Sequence, residues 1–390
     1  MNILITTHTY LPNIDGVEAV NKYLFEGLVK RGHSVDILTY RSNKLIPREE
    51  TISGVRIFRF DVKTNYTFHK GEKKEYLKWI IDNYSNYDVM VNICTQTALT
   101  DWVLPIINKI AIPKILYLHS IWDFKLYDFD KTSVSGYLKK IFANLRWYLY
   151  YKEWATAFKS YERVIQLHKK DRATEFFKKK YNIHSYIIEN AADDDFFTST
   201  IDEELDIPSK YILNVASYMD KKNQMDILKS FIEIRSNSDF ELIFIGNKNN
   251  RYYEDLKEKY QEYKENGGDK KVHLLYGIDR KKIYSYVKKA NLFVSASKQE
   301  AFPISIIEAM AAGVPFISTD VGIVKELPGG CVISKIDDLK QCMEMLMNDE
   351  VKRVDMGKCG KEYAINHLTI EAKVSKLEEI IKGVLCDEKK

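Results

Sequence analysis

A strand–helix–strand pattern fills residues 2–39, which read NILITTHTYLPNIDGVEAVNKYLFEGLVKRGHSVDILT. Two short apolar runs, at 2–7 and 34–39, predict buried parallel strands. Between them, apolar residues recur at helical spacing from Glu18 to Lys30, and Gly32 stands where a helix would stop. A parallel βαβ unit of this length is typical of doubly wound α/β sheets.

The same alternation continues along the chain and then restarts after Tyr186. Further strands are predicted at residues 55–60, 88–93, 114–119 and 163–167. The second series predicts strands at 186–188, 211–216, 241–245, 272–275, 292–295 and 314–318, and helices near 224–234, 281–288 and 305–312. We therefore expect an α/β protein with two doubly wound parallel-sheet domains that face each other across a cleft. The predicted domains are 1–188 and 189–370, and an amphipathic helix in 371–390 is expected to cross back to the first domain.

Composition indicates a globular protein without a membrane-spanning segment. Of 390 residues, 45% are hydrophobic and 29% charged, with only 17 Gly and 8 Pro, which excludes fibrous and disordered classes. No apolar run reaches the ~18 residues that a spanning helix needs, and residues 1–11 lack the features of a secretion signal, so we expect a cytoplasmic location. The 5 cysteines are scattered and form no Cys-x-x-Cys pair, so we expect neither disulfides nor zinc.

Charge divides the chain unevenly. Residues 1–188 contain 29 Lys and Arg against 19 Asp and Glu, whereas the remainder contains 30 against 36. The segment from Lys131 to Lys180 holds 13 basic and 4 acidic residues, interleaved with aromatic residues. Two interpretations of it stay open: an anionic membrane surface contacted by the first domain, at the inner face of the membrane, or a helix whose aromatics enter the core. Nucleic acid fits less well, because no binding module accompanies the charges.

Two glutamates stand eight residues apart in residues 297–315, which read SKQEAFPISIIEAMAAGVP. Glu300 is predicted on a loop leaving a strand, and Glu308 in the first turn of an apolar helix. Glu308 could be the last residue of a capping box that begins at Ser305. At the strand end of a doubly wound domain, however, a helix N-terminus favours a phosphate and a carboxylate can accept hydrogen bonds from sugar hydroxyls.

This stretch resembles the Glu-x7-Glu signature of GT-B nucleotide-sugar glycosyltransferases. The residues around the two glutamates are similar to those of family four, the large retaining group. Three other blocks are similar to that family in the same order: YLPNIDGVE at 10–18, IIENAAD at 187–193 and VASYMDKKN at 215–223. The resemblance therefore covers nearly the whole chain. It implies transfer of a hexose-type sugar from a nucleotide diphosphate sugar, with retention of configuration and without a metal or other cofactor.

The resemblance also implies roles for matching positions. Glu308 would hold the ribose hydroxyls, Glu300 the transferred sugar, and Lys222 the diphosphate, where Ser217 stands in place of a second cation. The amides of Phe302, Pro303 and Ile304 and that of Gly16 would contact phosphates, and Gly277 would lie near the base. Lys222, Glu300 and His119 are the predicted catalytic residues, and Tyr10, Asp15 and His119 are predicted on the acceptor side.

The chain departs from the family pattern at two of these positions. The family's arginine is Ser217 here, and the first glycine of its Gly-Gly pair is Asp15. Lys221 and Lys298 are candidates for the missing cation. The run from Asp193 to Asp195 is interpreted as a helix start or a solvated run and not as a metal clamp.

Alternatives to this function remain. His8, just after the first strand, could be the general base of an inverting GT-B transferase. A nucleotide-sugar-binding protein without turnover is the alternative outside enzymes, and a dehydrogenase is disfavoured because no Gly-x-Gly-x-x-Gly follows a strand. The acceptor, whether carbohydrate, lipid-linked or protein, stays open, and cell-surface glycan or glycoconjugate biosynthesis is the expected pathway class.

Overall fold

The computed structural model describes residues 1–12, 16–65, 68–122, 124, 134–198, 207–235 and 239–387. The chain divides into two compact units. Unit 1 comprises Met1–Glu189 and Lys373–Lys390, and unit 2 comprises Asn190–Ala372. The sequence placed the corresponding boundaries after residues 188 and 370.

Unit 1 is built on an eight-stranded sheet and a separate two-stranded one. Its strands are β1 (Asn2–Thr6), β2 (Ser34–Tyr40), β3 (Glu49–Ile52), β4 (Val55–Phe60), β5 (Val62–Asn65), β6 (Phe68–Gly71), β7 (Val89–Ile93), β8 (Lys114–Leu118), β9 (Arg163–Gln166) and β10 (Tyr186–Ile187). The large sheet has the order β10-β9-β8-β7-β1-β2-β4-β3, and only β3 pairs antiparallel within it. Every residue of β7 and β8 is buried, as expected for inner strands of a sheet that is covered on both faces.

Before the second unit, the described part of unit 1 contains the α-helices α1 (Gly16–Lys30), α2 (Lys73–Asn83), α3 (Ala98–Val103), α4 (Val134–Glu153), α5 (Ala155–Lys159) and α6 (Arg172–Tyr181). The predicted helix at 18–30 thus begins two residues earlier, at Gly16. The segment from Lys131 to Lys180 contains α4, α5, β9 and α6, and residues 131–133 lie outside the described residues.

Unit 2 is a six-stranded, wholly parallel sheet covered by helices. Its strands are β11 (Tyr211–Val215), β12 (Glu241–Gly246), β13 (Val272–Tyr276), β14 (Leu292–Ser295), β15 (Phe316–Thr319) and β16 (Gly330–Ile333). Its helices are α7 (Gln224–Ile232), α8 (Arg251–Glu265), α9 (Arg280–Lys289), α10 (Ile304–Ala312), α11 (Asp338–Asn348) and α12 (Glu350–His367). The order β13-β12-β11-β14-β15-β16 reverses direction between β11 and β14, as in dinucleotide-binding folds.

The last helix, α13 (Ile370–Asp387), packs on α1 in unit 1. Arg31, directly after α1, donates hydrogen bonds of 2.6 Å to Glu378 and to Ser375. Gly27 of α1 lies so close to Val374 that a Cβ at this glycine would fall 2.5 Å from a methyl of Val374. The close approach of the two helices therefore depends on the missing side chain at Gly27.

One sequence expectation about cysteine is wrong. Cys331 of β16 and Cys342 of α11 form a disulfide within unit 2, with Cα atoms 7.1 Å apart. No motif marked this pair, because the contact arises from the packing of α11 on the sheet. Among the described residues, no helix is both long and apolar enough to cross a membrane.

Candidate functional site

The strand-order reversal in unit 2 positions the candidate site. β11 and β14 are neighbours in the sheet, so the loops that follow them leave from the same edge. The amide of Lys298 donates to the carbonyl of Lys221 at 2.9 Å, which ties the two loops together. Crevices at such a reversal are where open α/β sheets bind ligands.

Lys222 and Glu300 meet at this edge. Lys222 ends a 3₁₀ turn (Asp220–Lys222) after β11, and its Nζ donates to Oε1 of Glu300 at 2.5 Å. Both side chains keep some solvent access, with 27% and 14% of their surfaces exposed. The predicted pair is therefore assembled as one cation and one carboxylate that a ligand can reach.

Glu308 is buried and held by an arginine that the sequence did not identify. Its carboxylate accepts a hydrogen bond from Nη2 of Arg280, the first residue of α9. Burial raises the pKa of Glu308, and the Arg280 charge opposes that shift. The expectation of Glu308 in the first turn is wrong, because α10 begins at Ile304 and places it in the second turn. The capping box is also wrong, since Pro303 occupies the N-cap position.

Arg280 itself is fixed by aromatic rings. Its guanidinium carbon lies 5.2 Å from the ring centre of Phe196 and 5.1 Å from that of Tyr284. The Oδ2 atom of Asp193 lies 4.0 Å from Nη2 of Arg280 and accepts a 2.7 Å hydrogen bond from the Tyr284 hydroxyl. A cation in the first turn of a helix interacts unfavourably with the helix dipole. The position of Arg280 was therefore the sequence feature that could have indicated a carboxylate partner outside α9.

The aspartate run next to this cluster begins a short helix. The side chain of Asp193 accepts from the amide of Asp195 and caps the 3₁₀ turn Asp194–Phe196. Among the residues that the structure describes, no three His, Cys, Asp or Glu side chains come together as a metal site requires.

The start of α10 supplies amide groups near Glu300. The N–H groups of Ile304, Ser305 and Ile306 precede the first intrahelical hydrogen bond, which Ile307 makes to Pro303 at 3.5 Å. Pro303 has no N–H, so its predicted role as an amide donor is wrong. The carbonyl of Phe302 accepts a hydrogen bond from the buried Asn190 side chain at 3.1 Å, which anchors the turn into the helix.

Gly322 packs against the backbone of the Glu300 loop and was not identified from the sequence. It has a positive φ of 56°, and a Cβ there would fall 2.2 Å from the carbonyl oxygen of Ala301. Any side chain at this position would displace the backbone that carries Glu300.

The other predicted donor residues lie along the same edge of unit 2. The carbonyl of Ser217, two residues after the end of β11, accepts a hydrogen bond from the Gln224 side chain at 3.0 Å. Gly277 follows β13 with a φ of 65° and open space where a Cβ would stand. The ammonium of Lys298, one candidate for the missing cation, bonds to Asp220 at 2.6 Å.

In unit 1, the predicted residues follow strands of the same sheet. His119 follows β8 and stacks on Tyr117 at 4.8 Å, and burial lowers its pKa to about 4. His8 follows β1 and stacks on Tyr40; burial, together with the nearby His69, also lowers its pKa to about 4.

Three of the residues predicted from the sequence each bury a polar atom that has no hydrogen-bond partner among the described residues: His119 Nε2, His8 Nδ1 and the Tyr10 hydroxyl. Burial, and then the charge of Glu26, raise the pKa of Tyr10. Gly16 is the first residue of α1, where its amide belongs to the free first turn. Asp15 lies outside the described residues.

Two family models match the chain, one in each unit. The family described as Glycosyl transferases group 1 matches residues 197–363, and that described as Glycosyltransferase Family 4 matches residues 14–173. The two matched segments contain all six strands of the sheet in unit 2 and all strands of the large sheet in unit 1 except β1 and β10.

Individual proteins are similar over most of the chain. One component of the human phosphatidylinositol N-acetylglucosaminyltransferase is 23% identical over 362 residues, which cover 88% of this chain and 67% of the relative. Sucrose-phosphate synthase from Thermosynechococcus elongatus has a TM-score of 0.75 at 17% identity, and the match covers 99% of each chain. Anabaena HepE in complex with UDP has a TM-score of 0.73 at 14% identity, covering 98% of this chain and 100% of its own. The chain therefore belongs to the group 1, or family four, glycosyltransferases and has their GT-B fold.

Proposed function

We propose that this glycosyltransferase takes a hexose-type sugar from a nucleotide diphosphate sugar and transfers it to an acceptor hydroxyl with retention of anomeric configuration and without a divalent metal. The observation that carries the proposal is the contact between Lys222 and Glu300 at the strand-order reversal of unit 2. Both charges are fixed there before a donor binds, so a bound donor would exchange one ion pair for contacts to its diphosphate and its sugar.

Each charged group has a distinct task in the proposed donor site. Lys222 and the first amides of α10 stabilise negative charge on the departing diphosphate, which is the largest electrostatic demand of the reaction. Glu300 accepts hydrogen bonds from hydroxyls of the transferred sugar. Glu308, held by Arg280, accepts hydrogen bonds from the ribose diol with the carboxylate oxygen that Arg280 leaves open.

The proposed reaction is a substitution at the anomeric carbon. The bond from that carbon to the diphosphate oxygen breaks, and the pair of electrons leaves with the nucleotide diphosphate. The bond from the acceptor oxygen forms on the same face, and the departing phosphate oxygen takes the acceptor proton. The chain's own residues bind, orient and balance charge, while the transition state has oxocarbenium character.

The condition of His8 favours this route over an inverting one. An inverting enzyme of this fold would need a general base whose pKa lies near the working pH. Burial lowers the pKa of His8 to about 4, so the imidazole holds a proton only weakly at neutral pH.

The relatives suggest the chemical class of the donor. The name of the human phosphatidylinositol N-acetylglucosaminyltransferase gives a hexosamine as transferred group and a phospholipid as acceptor, and HepE has been solved with UDP-glucose, at a TM-score of 0.68 to this chain. We therefore propose a UDP-hexose or UDP-N-acetylhexosamine as donor. A lipid-linked or glycoconjugate acceptor, as in cell-surface glycan synthesis, fits best.

The experiment combines donor screening with product analysis. A panel of nucleotide diphosphate sugars is tested by thermal shift, where a donor at 100 times its Kd stabilises the protein by about 2.7 kcal/mol. The best donor is then incubated with simple alcohol acceptors, with and without EDTA, and the glycoside is followed by proton NMR. We expect an α-linked product from an α-linked donor, at equal rate in EDTA.

A β-linked product would establish inversion and overturn the retaining mechanism. A large loss of activity in EDTA would overturn metal independence, and binding without any glycoside or free sugar would leave only a nucleotide-sugar-binding role.

A further inference from the structure

Helix α4 has two apolar faces, and the described residues cover only one of them. The inward face is buried in the core of unit 1 through Ala143, Trp147, Tyr150 and Tyr151. The outward face exposes seven large apolar side chains, each 41–59% exposed: Val134, Leu138, Ile141, Phe142, Leu145, Tyr148 and Leu149. We call these seven residues the outer stripe. Of 17 large hydrophobic side chains exposed among the described residues, the outer stripe contains seven.

The outer stripe is continuous. At about 100° per residue its members fall within an arc of about 120°, and they extend over about 22 Å of the helix. Patches of this size on a soluble domain mark a binding surface more often than chance exposure. The stripe lies opposite the buried face, so the helix cannot cover it by rotating without exposing Trp147 and Tyr150.

Basic side chains flank the stripe. Arg146 lies 5.6 Å from the ring of Phe68, itself exposed, and Lys180, next to α4 on α6, lies 4.8 Å from the ring of Tyr148. Lys139 and Lys152 add two further positive charges on α4, where Glu153 is the single acid. An apolar face with cationic flanks is the arrangement that binds at an anionic lipid headgroup layer.

The charges disfavour the main alternative, a second copy of the chain. A two-fold contact would place the stripe against itself and bring basic side chains that border the stripe on one copy close to those of the other. Paired helices normally have opposite charges at these flanking positions. An acidic lipid surface instead supplies the charge that the flanks lack.

We propose that the outer stripe of α4 docks on an anionic phospholipid surface. The helix lies in the plane of the interface, the stripe enters the boundary between headgroups and acyl chains, and the flanking Arg and Lys side chains contact lipid phosphates. The proposal does not depend on donor chemistry, because it concerns only the surface of unit 1.

The test measures binding of the full chain to sedimenting vesicles. Vesicles of phosphatidylcholine with about 30% phosphatidylglycerol are compared with pure phosphatidylcholine. We expect partitioning at least about tenfold stronger on the anionic vesicles, weakened as salt rises from about 0.1 to 0.5 M. The double variant Leu145→Glu/Leu149→Glu should lose at least about tenfold of this binding.

A matched control carries the same substitutions elsewhere. Val351→Glu/Ile365→Glu changes two exposed apolar residues of α12 in unit 2 and should bind vesicles like the wild type. Tryptophan fluorescence and the melting temperature without ligand verify that each variant is folded. No wild-type binding to anionic vesicles, or an equal loss in the control, would overturn the proposal. Dimers that only Leu145→Glu/Leu149→Glu dissociates, without vesicle binding, would assign the stripe to a second copy instead.

Discussion

Lys222 and Glu300 form the contact on which the proposed donor site depends. Their 2.5 Å hydrogen bond joins residues 78 positions apart, and both remain partly exposed. An ion pair in this environment contributes little to folding, because solvent screens it. In the proposed donor site, the ammonium of Lys222 balances the negative charge of the departing diphosphate.

Substitution of Lys222 by Ala should lower kcat/KM for the donor by about 10- to 100-fold, since a charge-assisted hydrogen bond is worth roughly 1.5–3 kcal/mol. Steady-state kinetics with the donor found by thermal shift measure the change. Lys229→Ala, an exposed lysine of α7, serves as the control and should keep wild-type kinetics. Unchanged kcat/KM in the Lys222 variant would remove this residue from the site.

Arg280 is a positioning residue for Glu308. Removing it leaves a buried carboxylate without its cation, so burial and then the charge of Asp193 raise the pKa of Glu308 without opposition from Arg280. At neutral pH a larger share of Glu308 would then be protonated, which would weaken its proposed hydrogen bonds to the ribose diol.

We expect Arg280→Ala to lower kcat/KM about tenfold or more at pH 7, with recovery as pH rises, because the carboxylate form returns above its pKa. The wild type should show a flatter profile in the same range. Arg280→Lys should retain part of the activity, and Lys282→Ala, an exposed residue two positions further along α9, should match the wild type. A pH-independent loss in Arg280→Ala would indicate general damage to α9 instead.

Among the elements, α10 and the loop before it supply the backbone N–H groups of the proposed donor site. Three contacts hold the loop that bears Glu300. Gly322 packs against its backbone, the Asn190 side chain donates to the carbonyl of Phe302, and Lys222 donates to the carboxylate of Glu300. Helix α10 then begins at Ile304 and leaves its first amides without intrahelical partners. Rigid support of this kind positions charged groups before a ligand arrives.

Helix α4 illustrates a different use of an element. Its apolar residues surround the helix, which usually indicates complete burial. The structure buries Trp147, Tyr150 and Tyr151 and leaves the outer stripe exposed. Both sequence interpretations of the segment from Lys131 to Lys180 thus describe part of it: the aromatics supply core, and the opposite face supplies a basic, apolar surface whose lipid partner remains our proposal.

At the scale of the whole molecule, most of the C-terminal helix α13 belongs to unit 1, where it packs against α1. Gly27 of α1 is the point of closest approach, with Val374 where a Cβ would stand. Alanine in a helix interior is normally more stable than glycine by roughly 0.5–1 kcal/mol, so the steric contact and the helix propensity act in opposite directions.

We predict that Gly27→Ala lowers the free energy of unfolding of unit 1 by about 1–3 kcal/mol, because overpacking against the buried Val374 outweighs the propensity gain. In a Val374→Ala background the same change should be neutral or stabilising. Urea denaturation followed by tryptophan fluorescence reports on unit 1, since all 5 tryptophans lie between residues 79 and 154.

The control is Gly383→Ala on α13, where a Cβ meets nothing within 4 Å and only the propensity gain remains. It should stabilise unit 1 by roughly 0.5–1 kcal/mol. A stabilising Gly27→Ala would mean that the two helices separate easily and that their packing does not restrain unit 1.

Local patterns in the amino-acid order were sufficient to predict the α/β class, most strands of both large sheets to within a residue or two, and the GT-B family, which the comparisons confirm. These features are short-range: strand and helix periodicities repeat within a few residues, and the 297–315 stretch is contiguous. That Lys222 and Glu300 belong to one site was also expected, but from the resemblance to the family and not from a local pattern.

Other features depend on packing between distant segments. Arg280 on Glu308, Gly322 under the Glu300 loop, and the Cys331–Cys342 pair join residues with no local pattern in common. The start of α10 at Ile304, the burial that lowers the pKa of His8, and the choice of which face of α4 stays exposed are likewise set by neighbours in space. Periodicity reports that a residue is apolar or charged, but only the assembled fold determines which surface or partner it meets.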